Sequence, residues 1–327
     1  MKKYALYIIS LVSVLMASCA SIQTLTFDQL SPAEVNFPYQ VSVVGVVNNM
    51  PSRPKPKSNI LTLGPIEAEG KGAAETLSGY LADSKYFNQV IICDSALCSD
   101  AYSTSLSADE VSRLSSMLGV DMLISFERLF LDVQKKEFNN PGWDVAIPVL
   151  QTQVVPVVRL YIPKRQKPIA ELVAKDTLYF DFGNRISEKE LIDECTRHAS
   201  SVICNKIVPY WQTVNRIYFD GGCVEMRDAG VYVREDDWTS AREQWTKVYN
   251  RLKKGNTKFR AAYNMSLSFE MTGDMEKAEE WLKKAADCVE PGSEEEMVLK
   301  YYTAQFTKRK DELGKLNVQM GRFNNNF

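Results

Sequence analysis

A glycine-rich stretch from Gly64 to Gly72 is the first place where residue type and spacing could do chemistry. A phosphate-binding loop needs the pattern Gly-x-x-x-x-Gly-Lys-Ser/Thr, in which backbone amides and the lysine hold the phosphates. The triplet Gly70-Lys71-Gly72 comes near it, but the spacing from Gly64 is one residue too long and no hydroxyl side chain follows Lys71. We therefore predict no nucleotide binding and no cofactor, and we expect the glycines to shape a loop-to-helix start.

The single histidine, His198, limits the catalytic chemistry open to the chain. One histidine cannot build a histidine-based zinc site, and the sequence has no Cys-x-x-Cys pair. A serine or cysteine nucleophile would need His198 as its base, and no local motif supports one. Acids at Glu294 to Glu296 are better explained as the first turn of a helix, where they offset its dipole. The sequence predicts no catalytic residue and no metal site.

The cysteines divide into pairs with different geometry. Cys93 and Cys98 flank a short loop and could be joined by a disulfide, so a bridge and free thiols both stay open. Cys195 and Cys204 are nine residues apart on a predicted helix, which puts them on opposite faces and ~13 Å apart along its axis. They cannot bridge each other, and we predict that they are buried free thiols.

The amino terminus has the organisation of an export signal. Two early lysines precede an apolar core from Ala5 to Met16, and small residues lead from there to Cys19. The core is shorter than the ~18 apolar residues expected of a membrane span. Leu15 to Cys19 resembles the lipobox of bacterial lipoproteins, which implies that residues 1–18 are removed and that Cys19 carries the lipid. The alternative is an ordinary signal peptide or an uncleaved anchor.

The residues after Cys19 bear on where such a lipoprotein would go. Ala20 follows the cysteine, and the first acidic residue is Asp28. By resemblance to other lipoproteins, the chain lacks both the aspartate that retains them in the inner membrane and the acidic cluster that exports them to the surface. We expect a periplasm-facing protein attached to the outer membrane. Because the tether at residues 19–40 is short, we also expect the sheet domain to lie close to the membrane and the helices to reach away.

The overall composition is that of a globular protein with a core. The chain has 327 residues, of which 45% are hydrophobic and 24% charged, and its formal net charge is −2. A nucleic-acid-binding protein would need a basic domain, so we predict no nucleic-acid partner. After the signal, no apolar run is long enough for a membrane helix.

Periodicity predicts two structural regions. The β-branched run from Val41 to Val47 is typical of a strand buried on both faces, and capping boxes at Ser107 and Ser187 predict helix starts. The order β-α-β-α-β followed by further strands predicts a mixed sheet with packed helices over residues 41–220. After Gly221 the chain reads as helices to residue 308, followed by a polar tail at 309–327. The predicted fold class is therefore α+β with an all-α carboxy-terminal subdomain.

The carboxy-terminal helices carry a repeat-like spacing. Small and apolar residues that share matching positions are Ala262, Met265, Ser266, Phe269, Gly273, Ala278, Leu282 and Ala285. Residues 261–291 resemble a tetratricopeptide repeat on this spacing. The resemblance implies a concave, partner-binding face at Arg260, Tyr263, Leu267, Glu270 and Met271. The alternative is an ordinary helical subdomain whose Trp and Ala residues are core.

Most of the mature chain resembles a family of uncharacterised Gram-negative lipoproteins with a tetratricopeptide-like segment. The residues that carry this resemblance are Pro32-Ala33, Val46-Val47-Asn48, Val208-Pro209-Tyr210-Trp211, Arg216, Tyr218, Trp238, Ala241, Trp245, Ala262-Tyr263-Asn264-Met265 and Glu270. The first half is also similar to the α/β domain of the curli secretion lipoprotein, in its order of elements and in Leu118-Gly119-Val120-Asp121. The resemblance implies architecture and location, and no activity.

These observations favour a non-catalytic scaffold that binds an envelope protein or peptide through its helices. The first alternative is an oligomeric export component like the curli lipoprotein, which would need long hairpins with lipid-facing strands. The only candidate, Phe126 to Ile162, contains Pro141, Pro148 and Pro156, which such strands tolerate poorly. The second alternative is an enzyme whose active site has no recognisable motif.

Overall fold

The computed structural model describes residues 22–51, 61, 63–97, 105–139, 146–182 and 186–324. It confirms an α+β fold with a helical carboxy-terminal region. The chain divides into two compact units. The sheet unit contains Ser31–Tyr210 and the residues from Leu316 onward, and the helical unit contains the described residues up to Leu30 together with Trp211–Lys315. Cys19 lies outside the described residues, so its lipidation stays a prediction.

A mixed sheet forms the centre of the sheet unit. Its strands are β2 (Val43–Asn48), β3 (Gly64–Glu67), β4 (Gln89–Ala96), β5 (Met122–Asn139), β6 (Ala146–Tyr161), β7 (Ala170–Val173) and β8 (Asp176–Asp181). Their order is β4-β2-β5-β6-β7, with β3 paired to β5 and β8 paired to β6. The pairs that β2 makes with β4 and β5 are parallel, and the other pairs are antiparallel. The parallel part follows from the β-α-β-α-β order of the sequence.

Three helices cover this sheet: α1 (Gly70–Asp83), α2 (Ala108–Leu118) and α3 (Glu188–Ile207). The buried faces of α1 and α3 share one hydrophobic cluster with the sheet, whereas α2 belongs to another cluster with Val47 and Leu123. The continuous β-branched sequence of β2 reflects this burial on both faces, and Val46 and Val47 are fully buried.

The predicted helix signals are present in the structure. Ser107 and Ser187 each accept the backbone N–H of a glutamate three residues later, and that glutamate accepts the N–H of the serine in return. Gly119 ends α2 in the left-handed conformation, with φ at 67°. These residues act locally, which is why their positions could be predicted from sequence.

The cysteines of α3 are buried free thiols, as the sequence predicts. Burial raises the pKa of the Cys195 thiol to about 12 and that of Cys204 to about 12. A thiol with such a pKa holds little reactive thiolate near neutral pH. Cys98 lies outside the described residues, so its pairing with Cys93 stays a prediction.

Strands β5 and β6 form one long hairpin in spite of the prolines in β6. Their pairing runs from Leu123 opposite Tyr161 to Asn139 opposite Ala146. Pro156 lies between the part of β6 that pairs with β8 and the part that pairs with β7. Proline cannot donate to a ladder, and this gap between two partner strands is a position where a donor is not required. The prolines of β6 are therefore accommodated within a continuous hairpin.

The segment expected to be a tether is structured from Ile22 onward. Strand β1 (Ile22–Ser31) pairs with β9 (Tyr210–Phe219) in a two-stranded sheet. The side-chain hydrogen bonds Thr26–Asn215 and Thr213–Asp28 run in opposite directions along the two strands, so the ribbon is antiparallel. The half-buried Leu25 and Phe27 alternate with exposed polar residues, and this period of two marks a strand.

The segment expected to be a polar tail is helical. Helix α8 runs from Glu294 to Asn324. Within the sheet unit, its Gln319 side chain is 3% exposed and makes hydrogen bonds of 3.0 Å to both the N–H and the C=O of Ala33. These hydrogen bonds, together with the buried Leu316 and the bond from the Tyr86 hydroxyl to the Gln319 carbonyl, hold a mostly polar stretch in place.

The helical unit contains two helical hairpins and the first part of α8. Its other helices are α4 (Val224–Arg234), α5 (Trp238–Arg251), α6 (Asn256–Met271) and α7 (Met275–Ala286). Asp237 and Asp274 cap α5 and α7 through their side chains. Ser266 on α6 donates a 2.7 Å hydrogen bond to the carbonyl of Ala278 on α7. The small residues of the repeat-like spacing thus let these two helices approach closely, while the repeat register itself stays a prediction.

Gly70 and Gly72 give a matched test of close packing at the start of α1. A Cβ at Gly70 would lie 2.1 Å from Oδ1 of Asn48, whereas one at Gly72 would meet no atom within 4 Å. We expect Gly70→Ala to lower the free energy of unfolding by about 1–3 kcal/mol through overpacking. Gly72→Ala should be neutral or stabilising by up to about 1 kcal/mol. Urea unfolding of both variants measures the difference, and equal losses would contradict this explanation.

Candidate functional site

The five residues predicted to face a partner lie on or beside the packed interior of the helical unit. Tyr263 and Leu267 are 1% and 0% exposed. The side chains of Glu270 and Arg260 are 5% and 11% exposed, and each is held in an ion pair. Met271 is half-buried. In the described structure these residues do not form an open groove, because β9 contacts Tyr263 and Glu270 and the last helix pairs with Arg260.

Strand β9 occupies the face of α6 that was expected to be concave and open. The rings of Phe219 and Tyr263 meet edge to face, with centroids 5.3 Å apart. The amide of Asn264 accepts the N–H of Phe219 at 3.0 Å and donates to its C=O at 2.6 Å. An asparagine that brackets one residue of an extended backbone is a peptide-binding arrangement, and here the bound segment belongs to the same chain.

A buried ion pair fixes β9 to α6. Arg216 Nη2 lies 2.8 Å from Glu270 Oε1, and both side chains are 5% exposed. The guanidinium also lies 5.7 Å from the centroid of the Phe27 ring on β1. Burial and the nearby Glu270 carboxylate raise the pKa of the Tyr302 hydroxyl, which keeps this tyrosine neutral. Because a buried charge needs a partner, the pair strongly favours this one placement of β9.

Arg260 is committed to a second internal contact. Its Nη2 lies 2.6 Å from Glu295 Oε1 on α8, and Asn256 donates to the same oxygen at 3.1 Å. These contacts hold the first turn of α8 against the first turns of α6. The acids at Glu294 to Glu296 therefore begin a helix, as the sequence predicts.

An open groove lies elsewhere in the helical unit, between α7 and α8. Its volume is about 350 Å³. Leu282, Ala286 and Phe306 provide apolar surface, and Thr303 and Thr307 lie along the α8 side. Charged residues complete the lining: Glu279, Lys283, Lys310 and Asp311.

The charges at this groove are partly paired with each other. Glu279 contacts Lys310 at 2.5 Å and Lys283 at 3.2 Å. Hydrogen bonds from Lys310 and then Lys283 lower the pKa of the Glu279 carboxyl. All three side chains are more than one-third exposed, so these pairs exchange readily with water or with other charges. The groove thus combines an apolar floor with charged groups that are free to rearrange.

Sequence reasoning missed this groove because it ended the last helix too early. The polar run from Arg309 to Glu312 was assigned to a tail. Yet Leu299, Tyr302 and Phe306 continue at helical spacing to Leu316, and all four are buried. Following that period past the charged run would have placed Lys310 and Asp311 on the same helix.

The sheet unit contains a buried polar cluster around Glu127. This residue is 1% exposed and lies at a β-bulge, where the pairing register of β5 shifts between Phe126 and Arg128. Its carboxylate accepts from Asn49 at 2.7 Å and from the Tyr161 hydroxyl at 3.4 Å, and Arg159 lies 3.8 Å away. Both carboxylate oxygens are engaged, so the cluster links the residue after β2 to β5 and β6. A bulge has no sequence signature here, which is why this cluster was not predicted.

His198 lies on α3 with its side chain half-buried. Its Nε2 is 2.6 Å from Oδ2 of Asp176, and this hydrogen bond lowers the pKa of the Asp176 carboxyl. Within the described ranges, no group of three or more His, Cys, Asp or Glu side chains is placed to hold a metal ion. A helix with the length and apolarity to cross a membrane is likewise not found among the described residues.

We expect that removing one charge of the Arg216–Glu270 pair destabilises the protein more than removing both charges. Glu270→Ala should lower the free energy of unfolding by about 3–5 kcal/mol, because it leaves a buried guanidinium without its partner. The double variant Arg216→Met with Glu270→Leu should lose less, since it removes both charges. Glu243→Ala, at an exposed position of α5, is the matched control and should change stability by less than about 0.5 kcal/mol.

Urea unfolding followed by tryptophan fluorescence measures these differences, because Trp238 and Trp245 lie in the core of the helical unit. A Glu270→Ala variant as stable as the Glu243→Ala control would show that the pair does not hold β9 in place.

Comparisons with known proteins cover both units. The profile of a family described as Domain of unknown function (DUF8603) matches residues 41–219, and that of Domain of unknown function (DUF6340) matches residues 227–308. No curated protein matches the chain.

Several solved structures resemble about half of the chain at low identity. A PelC dodecamer from Paraburkholderia phytofirmans is 11% identical over 53% of this chain and 96% of its own, with a TM-score of 0.23. The hypothetical protein CT253 from Chlamydia trachomatis is 11% identical over 51% and 97%, with a TM-score of 0.26. A minor lipoprotein from Acinetobacter baumannii is 8% identical over 52% and 97%, with a TM-score of 0.23. At these scores the likenesses carry no argument about function.

Proposed function

The chain belongs to the DUF8603 family, and we propose that it is a lipid-anchored binding scaffold of the outer membrane that faces the periplasm and has no catalytic activity of its own. Its helical unit binds a segment of an envelope protein or peptide in the groove between α7 and α8. The observation that carries the proposal is the geometry of this groove, with apolar Leu282, Ala286 and Phe306 beside exposed charges.

The groove suits an amphipathic peptide segment. An apolar side chain of the partner would lie over the exposed Ala286, above a floor formed by the buried Leu282 and Phe306, and its own apolar surface would thereby leave water. Charged groups that flank this side chain would exchange with the ion pairs of Glu279, Lys283 and Lys310, at little electrostatic loss because those pairs are exposed. This mode of recognition uses the space between two helices and leaves the buried face of α6 undisturbed.

A site-specific crosslinking experiment tests the groove. A photoreactive amino acid placed at Thr307, which lines the groove, should give a discrete crosslinked product in intact cells. The same group at Tyr301, an exposed position on α8 outside the lining, is the positional control and should not give it. Lys283→Glu combined with Lys310→Glu should abolish the product from Thr307, because the variant reverses the charges beside the apolar floor.

The charge control is Lys300→Glu combined with Lys308→Glu. Both lysines are exposed and form ion pairs on α8, but neither lines the groove. This control should leave the crosslinked product intact. Loss of the product in both double variants, or in neither, would contradict binding at the groove.

Anchorage is tested separately at Cys19. Mass spectrometry of the protein extracted from membranes should show an acylated Cys19 as the first residue, and Cys19→Ser should release the chain from the outer-membrane fraction. A mature chain that begins elsewhere would contradict the lipoprotein proposal.

A second candidate function is an oligomeric export component. The observation that favours it is the continuous hairpin of β5 and β6, which runs for 18 and 16 residues. Light scattering on the delipidated protein distinguishes it from the scaffold, since a mass equal to one chain would rule it out.

A further inference from the structure

The described chain begins in the helical unit, close to the predicted lipid. Strand β1 starts at Ile22, three residues after Cys19. Three residues span at most about 11 Å even when fully extended. The residues of β1 up to Leu30 belong to the helical unit. If Cys19 is acylated, the part of the protein held directly at the membrane is therefore the helical unit, and not the sheet unit that the sequence led us to expect there.

Ile22 lies toward the end of the helical unit where β9 ends and α4 begins. The pairs Thr26–Asn215 and Thr213–Asp28 set the register of the ribbon, which places Ile22 level with Phe219, the last residue of β9. Helix α4 begins five residues later at Val224. The end of α5 lies beside this start, because Arg251 forms an ion pair with Glu225.

The first turns of α6 and α8 lie at the same end. A Cβ on Gly222, just before α4, would meet the Thr257 side chain at 3.3 Å, so α6 also begins here. Asn256 at the start of α6 donates to Glu295 in the first turn of α8. The structure thus gathers the starts of three helices near the first residue of β1.

This end of the unit exposes large apolar side chains. Ile22 is 48% exposed, Val224 56% and Met297 65%. The charged residues around them have both signs, with Lys253 and Lys254 before α6 and Glu294 at the start of α8, so neither sign dominates. Apolar tips within mixed charges are suited to the interface of a bilayer, where apolar groups insert between headgroups and charged groups remain in water.

We propose that Ile22, Val224 and Met297 form a membrane-facing end that lies against the phospholipid headgroup layer and orients the helical unit on the bilayer. The proposal rests on the lipid anchor of the proposed function. With the tether limited to three residues, the Cα of Ile22 cannot move beyond about 11 Å from the Cα of Cys19. Headgroup layers are of this order of thickness, so contact with them follows from the length of the tether.

Spin labelling of the anchored, full-length chain tests the membrane-facing end. The partly exposed or undescribed cysteines that would compete for label are first replaced by serine: Cys93, Cys98, Cys223 and Cys288. Single labels are then attached at Val224→Cys or Met297→Cys. Trp211→Cys is the matched control, because Trp211 is 70% exposed on the same ribbon but lies toward its opposite end. The acylated protein is reconstituted in vesicles of phosphatidylethanolamine and phosphatidylglycerol.

We expect the labels at positions 224 and 297 to lose accessibility to a water-soluble nickel chelate on reconstitution, relative to the Cys19→Ser form in solution, while the label at position 211 stays accessible. Equal accessibility of all three labels, on a chain whose mass shows acylated Cys19, would overturn the membrane-facing end and leave the anchor standing. An unmodified Cys19 would instead overturn the anchor itself, so the two failures are distinguishable.

Discussion

The helical unit depends on the placement of strand β9 against helix α6. Both side chains of the Arg216–Glu270 pair are 5% exposed, so solvent reaches little of either charge. Asn264 satisfies both backbone groups of Phe219 at the same face. A strand held by a desolvated ion pair and a bracketing amide is not readily exchanged for another peptide. The face that a tetratricopeptide-like segment would offer to a partner is therefore part of the core of this unit.

Because β9 occupies this face of α6, the partner site that we propose lies on another surface of the helical unit. The covering of α6 contributes to the burial of Tyr263 and Glu270, while the groove between α7 and α8 keeps exposed charges beside its apolar floor. The same ribbon carries the first described residue of the chain into the helical unit. One structural feature thus affects both the proposed binding site and the proposed orientation on the membrane.

Helix starts that depend on residues close together in the sequence could be predicted. Contacts between residues far apart in the sequence could not. The capping boxes at Ser107 and Ser187 depend on residues three positions apart, so their helices were placed correctly. The pairing of β1 with β9 joins segments about 190 residues apart, and nothing local to either strand indicates its partner. The α6 face was expected to be open for the same reason. Glu270 on that face is buried by Arg216, which lies 54 residues earlier in the sequence. A groove can be inferred from one repeat, but a strand that fills it cannot.

Residue-level crosslinking in intact cells, with a lysine-reactive reagent and mass spectrometry, tests the central claim most directly. The account predicts that peptides of one envelope protein are joined to Lys283 and Lys310, which line the groove, and not to the exposed lysines of the sheet unit. Crosslinks from a partner that map only to the sheet unit, such as to Lys135 or Lys167, would contradict it.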